Sequence, residues 1–146
     1  MASIVYPHLD FAQEQSRTES GVQIRDLIFY NNRSLDFLQE IYDSYDCKQI
    51  VMELKNVQEV KQEHILQLNR YLKEQFGKFG IIITRKPAPQ KVIKNTIDLW
   101  SAHRKCIIIL DDNDIKSMVQ VFDSKQRFPI EIIKKKYIEF TRACPS

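Results

Sequence analysis

Apolar positions along the chain follow two alternating rhythms. Residues 24 to 30 (IRDLIFY), 49 to 54 (QIVMEL), 79 to 84 (FGIIIT) and 106 to 110 (CIIIL) are short runs rich in isoleucine and aromatics, the composition of strands. Between them apolar residues recur at helical spacing. Asn31 and Asn32 end the first strand before Ser34, an N-cap for a helix over 35 to 44 whose stripe is Leu35, Leu38, Ile41 and Tyr42. Ile65, Leu68, Leu72 and Phe76 predict a helix over 62 to 76, closed by Gly77 as a C-cap. Further helices are predicted over 90 to 102, from a cap at Asp111 or Asp112 to 122, and after Pro129 to 142. Strands alternating with helices imply an α/β fold, a central sheet covered by helices on two faces. The first twenty residues fit neither rhythm, so residues 1 to 20 are expected to be an irregular segment that could follow an upstream domain, with one domain over 21 to 146.

The run at 49 to 54 is nearly continuous in apolar character, as in a strand buried on both faces, and Glu53 interrupts it. A carboxylate two residues before a lysine means little alone, since the chain holds five such pairs, beginning at Asp46, Glu53, Glu59, Asp114 and Asp123. Only Glu53 and Lys55 lie at the end of a buried strand, where residues two apart project from one face. Burying a carboxylate and an ammonium there is costly unless they are paired, solvated or bound to an ion. Magnesium would relieve that cost, because it takes oxygen ligands, keeps several waters and needs only one or two carboxylates plus a substrate phosphate. Asp26, on the neighbouring strand and ~4.8 Å away if the two pair, is the natural second ligand. Asp46 is a rival, although it precedes the strand and should lie at its far end. Gln67 and Tyr71, four apart on the following helix, share a face displaced from its core stripe and could be carried over the carboxylates.

Length and composition limit the alternatives. A chain of 146 residues can bury roughly two thirds of its unfolded surface and fold without metal or disulfide staples. Cys47, Cys106 and Cys144 are odd in number and widely spaced, which reads as small hydrophobes in a reducing, cytoplasmic compartment, and no Cys-x-x-Cys or close His pair suits zinc. No stretch approaches the ~18 apolar residues of a membrane span, so no membrane partner is expected. The formal charge of +3 does not by itself imply nucleic acid.

The strings GVQIRDLIFYN, IVMELKN, QLNRYL and FGIIITR, spread over residues 21 to 85, resemble the PD-(D/E)XK nuclease superfamily with its restriction-endonuclease-like fold. The resemblance implies a mixed sheet, Asp26 as the first acidic ligand, Glu53 and Lys55 as the signature pair, and Gln67 with Tyr71 as the glutamine-tyrosine motif. Arg25 stands where the family name has proline. A predicted helix separates Asp26 from Glu53 where many relatives have a tight hairpin. The family's first helix, which often carries a metal-facing glutamate, is hard to find, with Glu14 and Glu19 as poor candidates.

In function, the resemblance implies an Mg²⁺- or Mn²⁺-dependent nuclease. Asp26, Glu53 and the Leu54 carbonyl would hold the ion, Lys55 would orient the attacking water, Gln67 would bond the water or the phosphate, and Tyr71 and Arg85 would contact the nucleic-acid backbone. DNA is expected over RNA, with a possible homodimer and a possible further domain making this the effector module of a defence or repair protein. The alternative is an inactive domain that binds nucleic acid or a protein partner. His64, on the same helix, is read as an exposed helix residue.

Overall fold

The computed structural model describes residues 9–19, 22–55, 57, 59–125 and 128–145, with side chains from Asp26 onward, Gln75 excepted. The strands are β1 (Leu9–Glu19), β2 (Val22–Asn31), β3 (Gln49–Leu54), β4 (Phe79–Ile83) and β5 (Cys106–Leu110). The helices are α1 (Asp36–Tyr45), α2 (Gln62–Tyr71), α3 (Gln90–His103), α4 (Asp112–Ser124) and α5 (Ile130–Ala143). The strands form one sheet in the order β1-β2-β3-β4-β5. Neighbours are antiparallel from β1 to β3 and parallel from β3 to β5, so the sheet is mixed, as expected. Parallel neighbours need a crossover, which α2 and α3 supply.

Strand alternation divides the core. Phe29, Met52, Ile81 and Ile108 face α1, α4 and α5, with Leu38, Met118 and Tyr137 packed on them. Ile28, Val51, Ile82, Ile107 and Ile109 face the other way, under Ile65, Leu68 and Val92 of α2 and α3. The buried amide of Asn31 donates to the carbonyls of Leu38 (3.0 Å) and Cys47 (2.9 Å), tying the end of β2 to α1 and to the turn before β3. Asp111 caps α4 by accepting from the Asp114 N–H at 3.1 Å.

Three local expectations are corrected. Leu9–Glu19 is a strand rather than irregular chain: its polar sequence carries no β signal, and pairing along β2 is what makes it extended. Glu14 and Glu19 therefore sit on a strand, not a helix, and their side chains lie outside the described residues. The N-cap of α1 is Leu35, one residue beyond Ser34, with no side-chain cap bond.

The helix predicted to run to 76 instead ends at Tyr71. Leu72 turns extended, a 3₁₀ turn spans Glu74–Phe76, and Gly77 closes that turn at φ 60°. In an unbroken helix Tyr71 and Phe76 would lie about 140° apart around the axis. The break lets their rings stack with centroids 5.3 Å apart while Leu72 and Phe76 are buried beneath α2. A Cβ on Gly77 would collide with the carbonyls of Tyr45 and Asp46. Gly77→Ala is accordingly expected to destabilise the fold by at least ~2 kcal/mol, measured by denaturant unfolding, and an unchanged midpoint would show that the turn can relax.

Candidate active site

The site stands where antiparallel β2–β3 meets parallel β3–β4. In the β2–β3 register Asp26 pairs with Glu53, so the two carboxylates project side by side from the face that α2 covers. Both are fully buried. Lys55, two residues on, returns to the same face and is 4% exposed. Its ammonium lies 2.9 Å from Glu53 Oε1 and donates to Gln67 Oε1 at 3.2 Å. α2 thus brings Gln67 down onto the strand pair, as its place on the helix suggested.

Other expected members stand further off. Leu54 points to the opposite face by alternation and is half-buried, so only its backbone carbonyl could serve the site. Tyr71 is half-buried, and its ring stacks on Phe76 in the core beneath α2 instead of standing clear of the apolar stripe. Arg85 is exposed, with Nε 3.9 Å from Asp112 Oδ2, and belongs to the surface beyond β4. Asp46 is exposed and in the left-handed region at the C-cap of α1, three residues before β3 begins and so at the opposite end of that strand from Glu53.

His64 is not the exposed residue the sequence suggested. Its side chain is buried, and Nδ1 accepts the Lys61 N–H at 2.8 Å, closing the first turn of α2. The sequence shows this only as a residue three positions after the cap, where Glu or Gln is the familiar choice. Burial, then the positive charge of Lys55, holds its pKa below 6.5. A base whose folded pKa is depressed binds more protons when unfolded, so its contribution is complete above about 6.5 and is lost as pH falls through the folded value. Thermal melts from pH 8 to pH 5 should therefore show a steeper loss for wild type than for His64→Gln, which can keep the cap bond; parallel curves would refute the assignment.

The donor set suits a hard divalent cation. Two carboxylates side by side in low dielectric repel unless a positive charge lies between or beside them, and here Lys55 supplies one. Among the described residues no group of three His, Cys, Asp or Glu side chains could hold an ion unaided. Two carboxylate arms with water and a phosphate oxygen match the coordination habit of Mg²⁺.

This strand-borne Asp, Glu-x-Lys arrangement with a glutamine from the next helix is matched by comparison: the family model described as PD-(D/E)XK nuclease superfamily covers residues 8–96, more than half of the chain. The protein belongs to that superfamily. It is also similar to a protein of Escherichia coli (strain K12) described as a transposon gamma-delta 80.3 kDa protein, with 31% identity over 107 residues. That stretch is 69% of this chain but only 15% of the relative. No solved structure gives a significant match.

Proposed function

We propose that the domain is an Mg²⁺- or Mn²⁺-dependent nuclease, acting as an endonuclease on DNA. The observation that carries the proposal is the buried pairing of Asp26 with Glu53, with Lys55 clamped between Glu53 and Gln67. Asp26 and Glu53, joined by the Leu54 carbonyl, would hold the ion. When bound, the ion supplies Lewis acidity, drawing charge from a phosphate oxygen and acidifying water. Lys55 would orient the attacking water and offset charge growing on the phosphorus oxygens, with a donor already aimed by two acceptors. Gln67 holds Lys55 in place and offers its amide N–H to the phosphate or the water. Arg85, from the surface beyond β4, and Tyr71, by its hydroxyl, would contact the nucleic-acid backbone.

DNA is favoured over RNA by the relative, whose description attaches it to a transposon. Because the chain spans 15% of that relative, we further propose that it serves as the effector module of a larger defence or repair protein, a reading by analogy. Cutting both strands with one site per chain would call for a homodimer. The buried free thiols of Cys47, whose pKa burial pushes up to about 12, and of Cys106 suit a reducing, cytoplasmic setting. No helix among the described residues is long and apolar enough to cross a membrane.

The test is a substrate panel: circular single-stranded DNA, supercoiled plasmid and a structured RNA, each with Mg²⁺, Mn²⁺ or EDTA. Metal-dependent opening of the DNA circles is the expected outcome. Cleavage of RNA alone would reassign the substrate, and binding without cutting under every metal would move the domain to the inactive class.

A further inference from the structure

We infer that the Thr84 hydroxyl is a positioning residue of this site: it is the acceptor that receives the Lys55 ammonium when Glu53 turns its carboxylate to a divalent cation. The inference rests on the nuclease reading above and extends it to a residue outside the family's motif.

Thr84 follows β4 and is 2% exposed, and its Oγ1 is buried with no hydrogen-bond partner among the described residues. Buried hydroxyls are almost always bonded, and valine has nearly the same shape without the desolvation cost, so a threonine here calls for a partner in some state of the molecule. Its place in the sheet says which. The β3–β4 register ends at Leu54 opposite Ile83, and the Lys55 N–H donates to the Ile83 carbonyl at 2.9 Å, extending the ladder by one residue. The Thr84 N–H donates likewise to the Leu110 carbonyl of β5 at 2.9 Å. Lys55 and Thr84 are therefore lateral neighbours on adjacent parallel strands, ~4.8 Å apart at the backbone. Two residues after Ile82, which pairs with Glu53, Thr84 shares the face of Glu53 and Lys55.

A lysine ammonium has three donors and no acceptor. In the structure it is held by Glu53 Oε1 and Gln67 Oε1. A cation drawing the Glu53 carboxylate away would leave one donor of a buried ammonium without its anion, a state strongly disfavoured in low dielectric. Swinging toward the neighbouring strand places that donor on Thr84 Oγ1, while Gln67 keeps its bond. Thr84 thus lowers the cost of opening the Glu53–Lys55 pair and leaves Lys55 anchored on two neutral acceptors.

The test uses Thr84→Val and Thr84→Ser beside wild type and Glu53→Gln. Metal-free melting, Mn²⁺ binding by calorimetry and Mn²⁺-dependent plasmid nicking are measured on each. Thr84→Val should melt at or above wild type, bind Mn²⁺ about tenfold more weakly and nick about tenfold more slowly, the worth of one hydrogen bond to a charged group. Thr84→Ser should restore both binding and nicking. The inference is overturned if Thr84→Val binds and cuts like wild type, if its metal-free form melts lower or fails to fold, or if serine does not rescue. If wild type takes up no Mn²⁺ and Glu53→Gln matches it, the nuclease reading falls and this inference with it; loss confined to Glu53→Gln sinks the role of Thr84 alone.

Discussion

Glu53→Gln is expected to lower Mg²⁺-dependent DNA cleavage by about three orders of magnitude or more, on the order of 4 kcal/mol of transition-state stabilisation. The substitution keeps the size of a fully buried side chain and removes its charge. With a neutral amide the site would keep Asp26 alone as its acidic ligand, and the electrostatic balance that draws a divalent ion would tip toward Lys55. Mg²⁺ or Mn²⁺ is expected to raise the melting temperature of the wild type and not that of this variant, because a ligand that no longer prefers the folded state cannot stabilise it. Single-turnover nicking of plasmid reads the first effect, and melting with and without metal reads the second. Retention of wild-type cleavage would remove Glu53 from the mechanism.

The second large effect is on stability. Glu53→Ala removes the anion 2.9 Å from a lysine whose side chain is 2% exposed, leaving the buried Lys55 ammonium without that anion and on neutral acceptors such as the Gln67 oxygen. Breaking one side of a buried pair costs about 3–5 kcal/mol, which lowers the melting temperature by roughly 10–16 °C for a domain of this size. Glu53→Met combined with Lys55→Leu removes both charges at similar volume and should melt at or above the wild type, while remaining inactive. That contrast separates a pair retained for chemistry from one retained for the fold. A Glu53→Ala melt equal to wild type would mean that the pair is solvated rather than buried.

Much of the fold and the site is legible along the chain because local pattern and tertiary context agree. β3 and β5 are apolar runs bounded by polar residues, and they run from Gln49 to Leu54 and from Cys106 to Leu110 as the sequence predicts. The Asp26–Glu53 pairing is legible too, since a charge in a buried strand demands a counterpart and the adjacent strand offers one. Three features depend on what the local sequence does not carry. β1 is a polar segment made a strand by its neighbour. The periodicity of Leu68, Leu72 and Phe76 continues past the end of α2, because burying Leu72 and Phe76 is possible both in a helix and in the broken turn that forms. His64 looks polar and solvent-facing until the capping geometry of Lys61 is seen. Thr84 has a signal, its two-residue phase with Ile82 at the end of β4, but a threonine closing a strand is ordinary until its hydroxyl proves buried.

Metal-dependent nicking of supercoiled plasmid by Asp26→Asn and Asp46→Asn, side by side with wild type, tests the central claim most directly. The two aspartates lie at opposite ends of the strand pair, one buried against Glu53 and the other exposed on a helix cap. The expected result is an Asp26→Asn variant that is inactive in Mg²⁺ and an Asp46→Asn variant that cuts at the wild-type rate. Nicking that survives Asp26→Asn, or that is lost in Asp46→Asn instead, would contradict a phosphodiesterase site built on Asp26, Glu53 and Lys55.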